Sequence, residues 1–405
     1  MRILLSEGSG RTSRQVATRL DELGHDVEVL SSTSFCLARF TRHVRRLHRV
    51  PPFGLHPLGW LDAALAVARS CHADVLFPTQ EQAAVLSAFV SRVPVPTIVP
   101  AFSSLRRVQD KLAATRTLSD LGLPQPRSIV ATSEDDLRPF DAFPAFVKRP
   151  ISTASSGVRR VHSASELVRA ARELALVERG VVVQAQAEGP LAMVQAVADH
   201  GRLVAWHANV RVREGSGGGA ASKESLRWPV IGAHLAKLVA ELDWHGAIAL
   251  DAILSADGPL YIDVNPRIVE PRNAYLAGVD LVAIMLALAV GEHPRDQPVG
   301  RAGVRSHQLL LSILAAAQGE TPRRSVAAEL LQALRHTGPY FGSVEELTPI
   351  RHDPRTAIPV ALAAATTLAW PHVWRWFVSG SVEAYALTPA GWDEILANVQ
   401  SPRPA

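Results

Sequence analysis

Two apolar runs meeting at an Asp-Gly turn constrain this chain more than any other feature. Residues 249–254 read Ala-Leu-Asp-Ala-Ile-Leu, a turn follows at Asp257-Gly258, and residues 260–267 read Leu-Tyr-Ile-Asp-Val-Asn-Pro-Arg. Asp-Gly between apolar runs predicts a β-hairpin. The two-residue period of a strand puts Asp263 and Asn265 on one face, and Asp251 on the partner strand can lie beside them. Leu250, Ile253, Ile262 and Val264 pack the hairpin against a core, which argues against a merely solvated polar face. Two carboxylates and an amide oxygen are hard ligands, suited to Mg²⁺ bridging nucleotide phosphates. Asp251, Asp263 and Asn265 are therefore candidate metal ligands.

Two further stretches bear on chemistry. Phe146-Val147-Lys148 leads into a small, hydroxyl-rich run, 149–156, that turns at Gly157 into another strand. Small residues let backbone N–H groups close on phosphate oxygens, and the lysine adds a point charge. On its own the stretch also fits an ordinary Ser/Gly hairpin. Downstream, Arg211 and Arg213 leave a strand and meet Gly215-Ser216-Gly217-Gly218-Gly219. Arginine forks suit phosphate and carboxylate groups, and a plain surface loop fits that stretch equally well.

The first hundred residues alternate strand and helix. Strands are expected at Ile3–Leu5, Val27–Leu30, Asp74–Phe77 and Pro96–Val99, with helices at Ser13–Leu23 and Gln82–Val90. That pattern implies a Rossmann-like parallel sheet covered on both faces. Gly8 and Gly10 form only a tight turn: the third glycine of a dinucleotide motif is missing, and no acid ends the second strand. Arg39, Arg42, Arg45, Arg46 and Arg49, with His43 and His48, read as one solvated helix face, with phosphate, nucleic-acid or membrane-surface contact as the alternatives. A single helix is expected over 104–120, stopped by Leu121-Gly122-Leu123-Pro124. Antiparallel strands dominate from Ser128 to Val264, and the residues after about 300 are helix-rich and apolar. The fold class is thus α/β followed by α+β.

Composition narrows the function classes. The chain has 405 residues, 47% hydrophobic and 20% charged, with a net charge of +4. This describes a folded protein of two or three domains, and the basic excess is too mild and scattered to suggest a nucleic-acid partner. Two cysteines, Cys36 and Cys71, without CxxC spacing indicate neither a disulfide framework nor a zinc site. The opening apolar run is too short for a signal peptide, so a cytoplasmic location is expected. The longest apolar stretch, from Ala357, is interrupted by Pro359 and Pro371, so no transmembrane segment is expected.

Taken together and in order, these pieces resemble the ATP-grasp superfamily, most closely its carboxylate–amine ligase branch related to carbamoyl-phosphate synthetase and biotin carboxylase. The resemblance runs from about residue 100 to 290. It implies an N-terminal α/β domain (1–103), a two-lobed ATP-grasp domain (104–295) and a helix-rich C-terminal region (296–405). Lys111, after Asp110, matches the family's first nucleotide lysine and Lys148 the second. The resemblance places phosphates under Ser155, Ser156 and Gly157, and adenine against a hinge strand ending Gln184-Ala185-Gln186-Ala187-Glu188. Asp251, Asp263 and Asn265 match the metal ligands. Arg267, with Arg211 or Arg213, matches the groups that hold the reacting carboxylate and phosphoryl. The implied cofactors are ATP and Mg²⁺, or Mn²⁺ in its place. The implied activity is ADP-forming: a carboxylate becomes an acyl phosphate and passes to an amine. Partners would be small-molecule acids and amines, and a homodimer is compatible. Bicarbonate as the activated acid, or a non-catalytic nucleotide-binding or membrane-associated protein, are the alternatives. The chain departs from the family in having Asp where both metal carboxylates are commonly Glu, Gln184 where Glu is frequent, and Pro190-Leu191 where a ribose acid often follows the hinge.

Overall fold

The computed structural model describes residues 1–153 and 157–400. It contains three sheets. The N-terminal one is parallel and four-stranded, in the order Arg46–Arg49, Asp26–Ser31, Arg2–Leu5, Val75–Phe77. Three of its strands are mostly buried, which is why their centres read as apolar runs, whereas the edge strand Arg46–Arg49 is charged and partly exposed. Helices Arg11–Glu22 and Leu281–Ala289 share a core with one face, through Val16, Leu20, Val282 and Met285. Helix Pro57–Ser70 covers the other face, joined by Trp392 and Ile395 from the last helix, Pro389–Gln400.

Two further layers follow, antiparallel except for the parallel pair Arg305–His307 and Ser343–Glu345 at the edge of the larger one. A four-stranded sheet has the order Ser128–Ala131, Val181–Ala185, Ala145–Lys148, Val158–Val161, and helix Ala164–Glu173 backs it. A seven-stranded sheet has the hairpin strands Gly258–Asn265 and Gly246–Ser255 at one edge, then Leu191–Asp199, Arg202–Glu214, Ala220–Leu226, Arg305–His307 and Ser343–Glu345. Helices Lys111–Asp120 and Pro229–Glu241 pack on this large sheet around Trp244 and Tyr261. The C-terminal helices Leu309–Ala316, Pro322–Arg335 and Ala357–Ala369 enclose a separate core with Ala221 and Leu347. No helix among the described residues is long and apolar enough to cross a membrane.

Three expected elements differ. Pro96–Val99 is not a strand; it meets the sheet through one bond, Leu76 N–H to the Pro96 carbonyl. Pro94, Pro96 and Pro100 have no N–H with which to extend a ladder. The basic cluster is not a helix face. It contributes the edge strand Arg46–Arg49, and acids from neighbouring elements meet it: Arg45 pairs with Asp26, His43 with Asp21 and His48 with Glu28. The helix expected over 104–120 is two, Phe102–Gln109 and Lys111–Asp120. Asp110 is extended between them, and its carboxylate accepts the Ala113 N–H at 2.8 Å. An N-cap of this kind ends one helix and starts the next.

Candidate functional site

The hairpin forms with the expected alternation. Asp251 faces Asp263 across the ladder, and Ala249 faces Asn265. Asp251 and Asp263 therefore share a face, and Asn265 lies two residues further along it. Burial raises the Asp251 carboxyl to about 6, and the neighbouring Asp263 charge adds to that, while Lys111, Arg267 and Lys148 pull the other way. Two facing carboxylates repel unless a cation lies near both. One cation is built in: Lys111 Nζ donates to both Asp263 oxygens, at 2.9 and 2.8 Å. The Asp110 cap makes this geometry, because it places Lys111 at the first position of its helix, with its N–H on the Pro150 carbonyl at 3.0 Å.

Lys148 reaches the same place from the small sheet. It is 8% exposed, and Nζ donates to Gln184 Oε1 and to the Ile262 carbonyl, both at 2.7 Å. The second bond spans the gap between the small and large sheets, so the lysine lies at their seam. Burial lowers its pKa to about 8, with Asp263 and Asp251 opposing and Lys111 assisting the drop. Gln184 is braced in turn, since Nε2 donates to Ser128 Oγ at 3.0 Å. A neutral amide here orients Lys148 without cancelling its charge. Arg267, just past the hairpin, lines a small pocket of about 30 Å³ with Glu81, Gln109, Lys111, Ser152 and Asn265.

The remaining expected residues fall in three groups. Gly157 closes the turn after Lys148: its carbonyl accepts the Arg149 N–H at 2.9 Å, and a Cβ there would lie 2.6 Å from Ser152 Cβ. Ser155 and Ser156 lie outside the described residues. Ala185 to Glu188 leave the central strand of the small sheet. The Ala185 N–H donates to the Arg127 carbonyl and the Gln186 N–H to that of Pro144, while Gln186 Oε1 accepts from Arg160. Gln186 and Glu188 are exposed. Gly189 then crosses the hairpin at φ +135°, where a Cβ would lie 2.2 Å from the Leu254 carbonyl oxygen. Only glycine permits that approach. The loop arginines are engaged elsewhere. Arg211 donates to the Gly218 carbonyl at 2.8 Å and pairs with Glu214, and Arg213 pairs with Glu329 on a C-terminal helix beside the Tyr340 ring. Neither forms an ion pair with the hairpin carboxylates among the described residues.

Sequence reasoning missed a buried ionic cluster next to Arg267. Lys223, 1% exposed, bonds Glu270 at 2.7 Å and Glu346 at 2.8 Å. Gln308 donates to both carboxylates, and Arg11 pairs with Glu270 at 3.0 Å. Burial alone would raise Glu270, but Arg11 and Lys223 hold it down at about 2. The only sequence signal was Glu270 itself, three residues after Arg267 and before a proline. Its partners come from residues 11, 223, 308 and 346, too far apart for any spacing rule.

A family model described as the ATP-grasp domain matches residues 108–271. No curated protein matches the sequence. Among solved structures, biotin carboxylase from Campylobacter jejuni, in complex with β,γ-ATP, superposes with a TM-score of 0.61 at 14% identity, covering 75% of this chain and 74% of that one. The biotin carboxylase domain of 2-oxoglutarate carboxylase from Hydrogenobacter thermophilus, with MgADP, ADP and bicarbonate, gives 0.60 at 17% identity, covering 75% and 73%. N5-carboxyaminoimidazole ribonucleotide synthetase from Thermus thermophilus gives 0.58 at 18%, covering 75% and 81%. At these identities the likeness is one of fold. Residues 108–271 thus match the ATP-grasp domain, inside a chain whose fold is similar to that of biotin carboxylase.

Proposed function

We propose that this chain is an ADP-forming ligase that activates a carboxylate with ATP and transfers it to an amine. The observation supporting this most is the convergence of Lys111, Lys148, Asp251, Asp263, Asn265 and Arg267 at one seam of an ATP-grasp domain. The donor set fits Mg²⁺ or Mn²⁺. It is all hard oxygen, and Asp251 lacks a full counter-charge, since its carboxyl stays near 6. Asp251, Asp263 and Asn265 would hold the ion, which when bound supplies charge neutralisation for the nucleotide phosphates.

The protein's own groups do the rest by position and charge. Lys111 and Lys148 hold phosphate oxygens, and Gln184 aims the second lysine. Gly157 closes the turn beneath the phosphates. The backbone from Gln184 to Glu188 is the proposed adenine hinge. Arg267 orients the substrate carboxylate in line with the γ-phosphate. One carboxylate oxygen bonds to the γ-phosphorus as the bond to the β-phosphate oxygen breaks, giving acyl phosphate and ADP. An amine then attacks the acyl carbon, phosphate leaves, and the amine nitrogen loses its proton. Arg211 stands at the base of the glycine loop. Arg213 would have to leave Glu329 to assist.

Turnover with substrate is expected to yield ADP and phosphate in step with ligated product; AMP and pyrophosphate in product chromatography would overturn the acyl-phosphate route. Asp263→Asn should lower turnover by about a hundredfold or more, because it replaces an anionic ligand of the bound ion by a neutral one, while leaving circular dichroism unchanged. A folded variant with near-normal rate would remove this site from the proposal. Bicarbonate as the activated acid is a second reading, favoured by the carboxylase domain of similar fold solved with MgADP and bicarbonate. ADP release driven by bicarbonate, with no organic acid present, would select it.

A further inference from the structure

A cavity with a mainly apolar lining lies outside the lysine–carboxylate seam. It measures about 470 Å³ and opens between the N-terminal sheet domain, the glycine loop and the C-terminal helices. That is within the range of roughly 300–1,000 Å³ in which small-molecule sites fall. Phe35 and Phe40 line it from the N-terminal domain, Leu311, Leu314 and Leu362 from two C-terminal helices, and Phe377 from a third. The glycine loop contributes Ser216 and Gly217, so the strand bearing Arg211 and Arg213 ends in this wall.

One end of the cavity is polar and points toward the chemistry. Arg11 lines it while pairing with Glu270, three residues beyond Arg267. Tyr385 also lines it, close enough to Arg267 and Arg11 that both cations act on its hydroxyl. Residues 385–387 are tied to the seam as well, since the Leu387 N–H donates to Glu81, which lines the small pocket with Arg267. An apolar chamber thus ends beside arginines at the place where the acid is to be activated.

We propose that this cavity binds the apolar body of the activated acid, so that the substrate is an aryl- or alkyl-bearing organic carboxylate with its head group toward Arg11 and Arg267. The assignment rests on the ligase reading for the word substrate, but binding itself does not require turnover. Bicarbonate has no apolar part and leaves such a chamber without a use. The charged groups in the lining are Arg11, already paired with Glu270, and Glu383; the preference for an acid head group therefore rests on Arg267, which lies beyond Tyr385 in the small pocket at the seam.

The test measures binding of a graded series by calorimetry or ligand-detected NMR. Acetate, butyrate, hexanoate, phenylacetate and 3-phenylpropanoate are compared with amines of the same carbon skeletons, and ATP binding is measured in parallel. Affinity for the acids should rise about three- to fourfold per buried methylene, and the matched amines should bind at least tenfold more weakly. Leu362→Trp, at a half-exposed wall position, should abolish the chain-length dependence and leave ATP affinity unchanged. Leu314→Phe, deeper in the same wall, is the second variant should the first perturb folding. Acid affinity independent of chain length, amines preferred to acids, or both folded variants retaining the wild-type series would overturn the proposal. Loss of ATP binding in the wild-type protein would instead defeat the ligase reading, and the acid series would still report on the cavity.

Discussion

His207 shows how one buried residue sets a pH limit on this fold. It is 2% exposed, its Nε2 lies 2.8 Å from Asn273 Oδ1, and burial lowers its pKa from 6.5 to about 4. Asn273 uses its amide nitrogen on Ser306 Oγ and the Val304 carbonyl, so its oxygen faces the ring and the neutral imidazole donates from Nε2. The unfolded chain takes up this proton near pH 6.5 and the folded chain only near 4. Between those values protonation favours unfolding, so stability is full above about 6.5 and falls as the pH drops toward 4. The gap corresponds to about 3 kcal/mol. His207→Gln removes this titration, so the loss of stability between pH 7 and 4.5 should shrink by about 2–3 kcal/mol in urea unfolding. An unchanged pH dependence would show that the ring takes up its proton at the same pH in the folded and unfolded chain, and so that burial does not hold it neutral. At this scale the sequence was legible where chemistry follows a short period. Asp251, Asp263 and Asn265 lie on one face as strand alternation required; Lys148, brought to them only by the resemblance, reaches the hairpin at the Ile262 carbonyl. Lys223, Glu270 and Glu346 were illegible because no local period relates residues on different layers.

At the scale of elements, the break at Asp110 matters most. Apolar periodicity runs through 104–120 without interruption, so pattern alone sees one helix. The cap chemistry of a single carboxylate overrides it and turns Lys111 toward Asp263. Asp110→Ala should cost about 1 kcal/mol of stability. It should also weaken nucleotide binding by loosening Lys111, whereas Asp110→Asn, another good N-cap, should restore most of both. Chemical unfolding and nucleotide titration on the two variants check this; an alanine variant with native ATP affinity would uncouple the cap from the lysine. Strands bounded by clear turns were legible for the converse reason: the 249–267 hairpin and the strand entering Lys148 need no information from elsewhere in the chain. The edge strand Arg46–Arg49 was hidden because an edge tolerates charge, so its arginines and histidine mimic a solvated helix.

At the scale of the whole molecule, the C-terminal region has a core of its own and also completes an earlier one. Trp392 and Ile395 complete a face of the N-terminal sheet, and Glu346 enters the buried cluster with Lys223. Trp374 and Phe377 pack against the C-terminal core, while Trp370 and Trp376 stay mostly exposed. Asp353 is another of these long-range ties. It is 0% exposed and bonds the Arg14 guanidinium at 2.9 Å, the Thr41 hydroxyl at 2.5 Å and the Arg42 N–H. Arg14 is 2% exposed, and burial lowers its pKa to about 10 even with Asp353 beside it. Removing one partner leaves a buried charge uncompensated, at a cost of about 3–5 kcal/mol, whereas replacing both by apolar side chains of similar volume is often close to neutral. Asp353→Leu alone should therefore lower stability by about 3–5 kcal/mol, a large part of the roughly 5–15 kcal/mol typical of a folded domain. Arg14→Met added to it should recover part of that loss, because it removes the stranded guanidinium. The recovery will be incomplete, since Thr41 and the Arg42 N–H lose their acceptor in both proteins. Urea unfolding of the two single variants and the double variant measures this coupling across 339 residues of sequence separation. Strictly additive losses would mean that the Arg14–Asp353 pair contributes no coupling of its own between the C-terminal region and the N-terminal domain.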